Sequence, residues 1–243
     1  MLKLVVNILM DIFRKWLDMK EGRIYKVINH INNTKMKKVL IAIVNNRPEL
    51  NVQFVKSLLE LIFYTGENGF EIYPAFYDYY DPAEMRNTAS DEAKKFDVDY
   101  VFYMDADMVY PRDSIIRLAK HDVDIVGGMY NTRKLPTLPV HFKKLEFTKD
   151  FGLAPNRDYK PNTGLQEQEA GGFGGVLVKR EVLNKMKNPY FKIISFDGGF
   201  YGEDVYFFEQ ALKLGFKGYV DTDLDYGHII NGAVYSDGSV KLV

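Results

Sequence analysis

The chain has 243 residues, 32 Lys/Arg against 33 Asp/Glu, a formal net charge of -1 and no cysteine. With 47% hydrophobic and 27% charged residues it has ordinary globular composition, which excludes global disorder and fits one α/β domain with a small appendage. The missing cysteines exclude disulfide scaffolds, Cys-ligated zinc, iron–sulfur clusters and thiol catalysis, and the balanced charge argues against nucleic acid as a partner.

Residues 1–38 hold nine Lys/Arg and three Asp/Glu, whereas the remainder holds 23 and 30, so a basic start precedes an acidic body. Leu2, Val5, Val6, Leu9, Ile12, Phe13 and Trp16 recur at three- and four-residue steps, predicting an amphipathic helix within an extension at 1–36. Lys3, Asn7 and Asp11 interrupt the apolar stretch, well short of the ~20 apolar residues of a membrane span. No small-residue cleavage site follows it, so no signal peptide is expected. Three uses stay open for residues 2–17: packing on the main domain, self-association, or lying in a membrane interface. The expected location is cytoplasmic, with a peripheral membrane position open.

The main domain is expected at 37–243. Val39–Val44 is a continuous apolar, β-rich run, the pattern of a strand buried on both faces, and Asn45-Asn46-Arg47-Pro48 ends it. Val52, Val55, Leu58, Leu59 and Ile62 keep a helical period. A strand over 70–76, a polar turn from Asp78 to Pro82, a helix carrying Met85, Ala89 and Ala93, and a strand over 100–104 follow. Beyond these the pattern predicts a helix over 114–120 and a strand over 125–128. The stretch 133–169 is polar and irregular, with a strand around 139–142. Gly171–Gly175 then leads into a strand at 176–178 and a short helix from Arg180. A helix over 204–214 with Val205, Phe208, Ala211 and Leu212 inward precedes a last strand at 218–220, an acidic turn and Gly227-His228. Strand–helix alternation at this spacing means βαβ units and a mostly parallel sheet.

Five Asp-x-Asp pairs occur, at 97/99, 105/107, 122/124, 221/223 and 223/225, so the pattern alone says little. Context separates them. Asp105 and Asp107 directly follow a buried strand, at the carboxyl edge where open parallel sheets bind ligands, and two carboxylates there make half a site for Mg²⁺ or Mn²⁺. If the strand geometry continues, both side chains point the same way. Asp97, Asp99, Asp122 and Asp124 precede strands and belong to the opposite edge. The 221–225 set is a secondary candidate.

Glu203 and Asp204 open an apolar-periodic helix, where acids favourably meet the helix dipole, and where one of them could also serve as a general base. His228 would add an imidazole nitrogen and shift a carboxylate site toward Mn²⁺. Arg86, with Asn87, could clamp a phosphate or pair with an acid. The glycines of 171–175 could admit a ligand close to the backbone or simply form a bend.

Taken in order, Val39–Val44 with Asn45-Asn46-Arg47-Pro48, Arg86-Asn87, Tyr103-Met104-Asp105-Ala106-Asp107, Val126–Tyr130, Gly171–Gly175, Gly202-Glu203-Asp204 and Gly227-His228 resemble the glycosyltransferases of the A fold (GT-A), particularly family-2-like members. The resemblance spans 37–243 and implies a Rossmann-like, mostly parallel mixed sheet flanked by helices. It implies a nucleotide-diphosphate sugar of UDP or GDP type as donor, Mn²⁺ or Mg²⁺ as cofactor, and inverting transfer to an acceptor hydroxyl on an unnamed glycan, protein or lipid. By the same resemblance Asp105, Asp107 and His228 hold the metal, Asp107 as the firmer ligand and Asp105 nearer the ribose, the sugar or a metal-bound water. Asp204 is the base. Asn45, Arg47 and Asp78 embrace the nucleotide, Arg86 and Asn87 sit on the donor side, and Gly172, Gly174 and Glu203 are the expected sugar or acceptor contacts. The Gln/Arg-rich motif of processive synthases is missing, so processive synthesis is not expected. Two other readings stay open: a sugar-phosphate nucleotidyltransferase, although Asn45-Asn46-Arg47-Pro48 lacks the glycines a triphosphate grip needs, and a non-enzymatic binding module on the same fold.

Overall fold

The computed structural model describes residues 36–243 except 48, 79–80, 134–135, 147–153, 157–158, 198, 231, 235, 238 and 243. The amphipathic helix expected in the first 36 residues, and with it any membrane or self-association role, lies outside the described residues.

The chain begins with β1 (Lys37–Val44), α1 (Val52–Glu67), β2 (Phe70–Tyr77), α2 (Pro82–Lys95), β3 (Tyr100–Asp105), β4 (Met108–Val109), α3 (Ser114–Lys120) and β5 (Ile125–Met129). Short strands follow: β6 (His141–Phe142), β7 (Lys144–Glu146), β8 (Ala154–Asn156), β9 (Leu165–Gln168) and β10 (Ala170–Gly171). Next come β11 (Val176–Lys179), α4 (Arg180–Lys185), β12 (Ile194–Phe196), β13 (Gly199–Tyr201) and α5 (Glu203–Lys213). The last elements are β14 (Gly218–Asp225), β15 (Gly227–Ile229), β16 (Gly232–Val234) and β17 (Val240–Leu242).

Seven strands form the central sheet in the order β2-β1-β3-β11-β5-β14-β9. The pairs β1/β2, β1/β3 and β5/β14 are parallel, whereas β11 runs antiparallel to both its neighbours and β9 antiparallel to β14. The sheet is therefore mixed, with helices packed against it. Val39, Ile41, Ala42 and Ile43 are fully buried, as an unbroken apolar strand between two others requires.

Local chemistry starts the helices where the chain needs them. Asn51 caps α1 by accepting from Gln53 N at 2.7 Å, and Asp81 caps α2 by accepting from Ala83 N, with Pro82 at its first position. Met85, Ala89 and Ala93 of α2 are buried as their period predicts. In α5 the inward set is Val205, Phe207, Phe208 and Ala211. Phe207 replaces the expected Leu212 because the rings of Phe173 and Phe191 lie 4.8 and 4.7 Å from its own.

Two expectations need correction. The 133–169 stretch contributes an edge strand, β9, to the central sheet. The acidic turn expected at 221–225 is strand: β14 continues through Asp225. Asp221 is 1% exposed there because Arg117 binds it through two nitrogens, at 2.7 and 3.0 Å, and His121 Nε2 lies 2.9 Å away. Burial pushes the Asp221 carboxyl up, but those partners outweigh it and hold its pKa below the ordinary value.

Candidate functional site

The parallel strands deliver their loops to one edge. Val44 of β1 is in register with Asp105 of β3, so Asn45 and the Asp105–Asp107 turn emerge side by side, tied by Ala106 N donating to Val44 O at 3.0 Å. Tyr130–Arg133 leave β5 at the same edge. Because β11 is reversed, the glycines before it arrive there too. A second, four-stranded sheet brings in His228: β15 pairs with β4, placing His228 opposite Met108, and Ile229 N donates to Asp107 O at 2.8 Å. Residues 121 positions apart in sequence are thereby neighbours.

Around Asp105 the organiser is Arg86, 4% exposed, from the second turn of α2. One guanidinium nitrogen lies 2.8 Å from Asp105 Oδ1 and another is bonded to Glu203 Oε1. Its plane sits 5.8 and 6.0 Å from the Phe173 and Phe191 rings, a packing that suits a weakly hydrated, planar cation. Arg86 is thus a bridge between β3 and the start of α5. Asp105 keeps 29% of its side-chain surface, yet loss of solvent dominates its titration. Burial raises its pKa against the pull of Arg86, and the nearby Asp107 and Glu203 charges add to the rise. Asp204 is pushed up to about 6, first by burial and then by Glu203, against a hydrogen bond from Val205 N and the charge of Arg86.

Asp107 belongs to a different group. A turn at Ala106–Asp107 breaks the strand geometry, so the two carboxylates take separate partners rather than acting as one extended pair. Asp107 Oδ2 lies 2.9 Å from Arg133 Nη1 and 3.9 Å from His228 Nε2. The other ring nitrogen of His228 donates to the Asn131 carbonyl at 2.9 Å, which fixes the ring with Nε2 turned toward Asp107. The Tyr130 ring meets the imidazole edge-on at 5.9 Å.

A cleft of about 210 Å³ runs between these groups, lined by Asn45, Arg47, Arg86, Asp105, Asp107, Arg133 and Glu203 among others. Asn45 secures its rim by donating to Arg47 O at 2.6 Å and accepting from Arg47 N. Asp78 is exposed at the end of β2, on the same sheet edge. Asn87 does not join the cleft group: its amide binds Tyr190 N, Phe191 N and Phe191 O, stapling that loop to α2. Gly172 serves packing, since a Cβ there would stand 2.2 Å from Tyr130 Oη. Gly174 lies between Tyr130 and Asp105, since a Cβ there would stand 2.9 Å from Tyr130 Oη and 3.1 Å from Asp105 Oδ2. Glu203 is the second counter-ion of Arg86.

The acids of the opposite edge have structural partners, as their position predicts: Asp99 accepts from Lys38 N, Asp122 pairs with Lys179, and Asp97 with Arg180. Asp221, the secondary candidate, is locked inside β14 by Arg117 and His121 and is corrected to a structural residue. Sequence reasoning missed Arg133 and Tyr130. Arg133 is signalled only by position, in the loop after β5 at the carboxyl edge, whereas Tyr130 also closes the Val126–Tyr130 piece of the resemblance.

Among the described residues no three His, Asp or Glu side chains form a group able to enclose a metal ion. The donor set that is present, one carboxylate and one oriented imidazole nitrogen facing each other, fits a divalent cation that also binds an anionic ligand and water. None of the described helices is long and apolar enough to cross a membrane.

No family model matches the chain, and no curated protein matches it. Among solved structures, A197 from STIV is similar over 85% of this chain and 94% of its own, at 22% identity and a TM-score of 0.57, which shows a shared fold. A glycosyltransferase involved in the glycosylation of the major capsid of PBCV-1 matches 60% of this chain and 61% of its own, at 14% identity and a TM-score of 0.32. A Bacillus anthracis protein assigned as a glucose-1-phosphate thymidylyltransferase, in complex with a sucrose, matches 80% and 89% at 11% identity and a TM-score of 0.41. The last two superpose too loosely to carry an argument.

Proposed function

We propose that the chain is a glycosyltransferase that moves a sugar from a nucleotide-diphosphate sugar of UDP or GDP type to an acceptor hydroxyl, with inversion. One observation carries the reading: at a single sheet edge Asp107 faces an oriented His228 Nε2, while Arg86 joins Asp105 to the Glu203-Asp204 helix start.

Asp107 and His228 would hold Mn²⁺ or Mg²⁺, and the imidazole nitrogen favours Mn²⁺. When bound, such a cation supplies neutralisation of the charge that develops on the departing nucleoside diphosphate. The chain's own residues do the rest. Asn45 and Arg47, on the rim after β1, meet the nucleotide, and Asp105 accepts from a ribose or sugar hydroxyl with Gly174 leaving room beside it. Arg86 lines the same cleft. It fixes Asp105 relative to the helix that carries Asp204.

Asp204 takes the acceptor's proton as the acceptor oxygen bonds to the anomeric carbon. The bond from that carbon to the phosphate oxygen breaks, and its electron pair leaves with the nucleoside diphosphate. A pKa of about 6 makes Asp204 a stronger base than an ordinary carboxylate while keeping it ionised at neutral pH.

The test is incubation with a panel of UDP- and GDP-sugars and Mn²⁺, reading released UDP or GDP. Release from one donor, lost in Asp107→Ala, is expected. No release and no binding with any donor would contradict the reading.

A further inference from the structure

Two arginines serve the carboxylates of the cleft, and they are built differently. Arg86 is 4% exposed, pinned between aromatic rings, and bonded to two carboxylates at once. Arg133 is 37% exposed, projects from the loop after β5, and pairs with Asp107 at 2.9 Å. The oxygen it takes, Oδ2, is the one that lies 3.9 Å from His228 Nε2. The same loop also fixes His228, through the Asn131 carbonyl and the Tyr130 ring. Three residues of this one loop, Tyr130, Asn131 and Arg133, therefore contact the two donors, and a positive charge already rests on the Asp107 oxygen that faces the imidazole.

We propose that Arg133 is a donor-binding residue that exchanges partners: it neutralises Asp107 until a divalent cation is taken up there, then yields that oxygen and binds the donor's diphosphate. This rests on the functional reading above. The exchange follows from the kind of contact. A half-exposed ion pair holds weakly and gives way to a divalent charge, whereas the buried Arg86 bridge cannot be released without stranding charge. A guanidinium freed at the cleft wall is suited to forked hydrogen bonding with phosphate oxygens. Until then it offsets the Asp107 charge that lies near Asp105.

The experiment titrates Mn²⁺ alone, followed by the resonance signal of free Mn²⁺, into wild type, Arg133→Gln, Arg133→Lys and Asp107→Ala. UDP and GDP are then titrated calorimetrically in saturating Mn²⁺. Arg133→Gln should bind Mn²⁺ alone about three- to fivefold more tightly, because the competing pair is gone. It should bind the nucleoside diphosphate about tenfold more weakly, because a charged phosphate partner is gone. Arg133→Lys, which keeps the charge without the fork, should fall between. A residue that merely shapes the loop would weaken both ligands. Mn²⁺ affinity that is unchanged or lower in Arg133→Gln overturns the exchange, and so does unchanged nucleotide affinity. Mn²⁺ binding that survives intact in Asp107→Ala overturns the functional reading itself, and this arm separates the two failures.

Discussion

The base proposed for transfer must be charged to take a proton, yet Asp204 is held where charge is disfavoured: burial and Glu203 raise its pKa to about 6. In the unfolded chain an aspartate releases its proton near ~3.9. The folded protein therefore carries an ionisation cost that is fully present above about pH 6 and gone below about pH 4. Two expectations follow at this one residue. Transfer activity should fall about tenfold per unit as pH drops below about 6, measured as initial rates with saturating donor. Asp204→Asn should abolish transfer, retain donor binding, and be more stable than wild type by about 2 kcal/mol at pH 7.5, with the gain absent at pH 4 in thermal melts. A variant that loses donor binding, or that melts lower at pH 7.5, would show that Asp204 has another role. The residue scale is also where sequence was least sufficient. Asp105, Asp107, Asp204 and His228 could be picked by motif and strand context, but Arg133 could not. Its meaning depends on a contact with Asp107 made across the sheet edge.

Elements explain why some acids of similar pattern are scaffold. Asp221 heads one of the five Asp-x-Asp pairs, yet it lies inside β14, 1% exposed, under Arg117 and His121 from α3 and its cap. Asp221→Ala should cost about 2–3 kcal/mol, less than a fully buried pair because Arg117 is a third exposed, and leave Mn²⁺ affinity unchanged. Lost Mn²⁺ binding in a folded Asp221→Ala would return this pair to the candidate list. Strand and helix positions were largely readable from apolar period and capping chemistry: Val39–Val44, the Met85/Ala89/Ala93 face and the 114–120 helix all lie where the pattern puts them. Two things were not readable. The direction of β11 is unmarked, because an apolar run looks the same from either end. The continuation of β14 into Asp221–Asp225 is hidden, because acids read as turn unless their partners some hundred residues away are known.

At the scale of the molecule, topology makes the site. Parallel β1, β3, β5 and β14 send their loops to one edge, the reversed β11 sends its glycines there, and the small β4/β15 pairing closes His228 onto Asp107. The fold shared with A197 from STIV covers nearly all of that chain. The central claim is that this edge binds a nucleoside diphosphate through a divalent cation at Asp107. Calorimetric titration of UDP and GDP, with and without Mn²⁺, into wild type and Asp107→Ala tests it most directly. The expected result is binding of one nucleotide that requires Mn²⁺ and disappears in Asp107→Ala while the melting profile stays that of a folded protein. Nucleotide binding that needs no cation, or that is unaffected by Asp107→Ala, would contradict it.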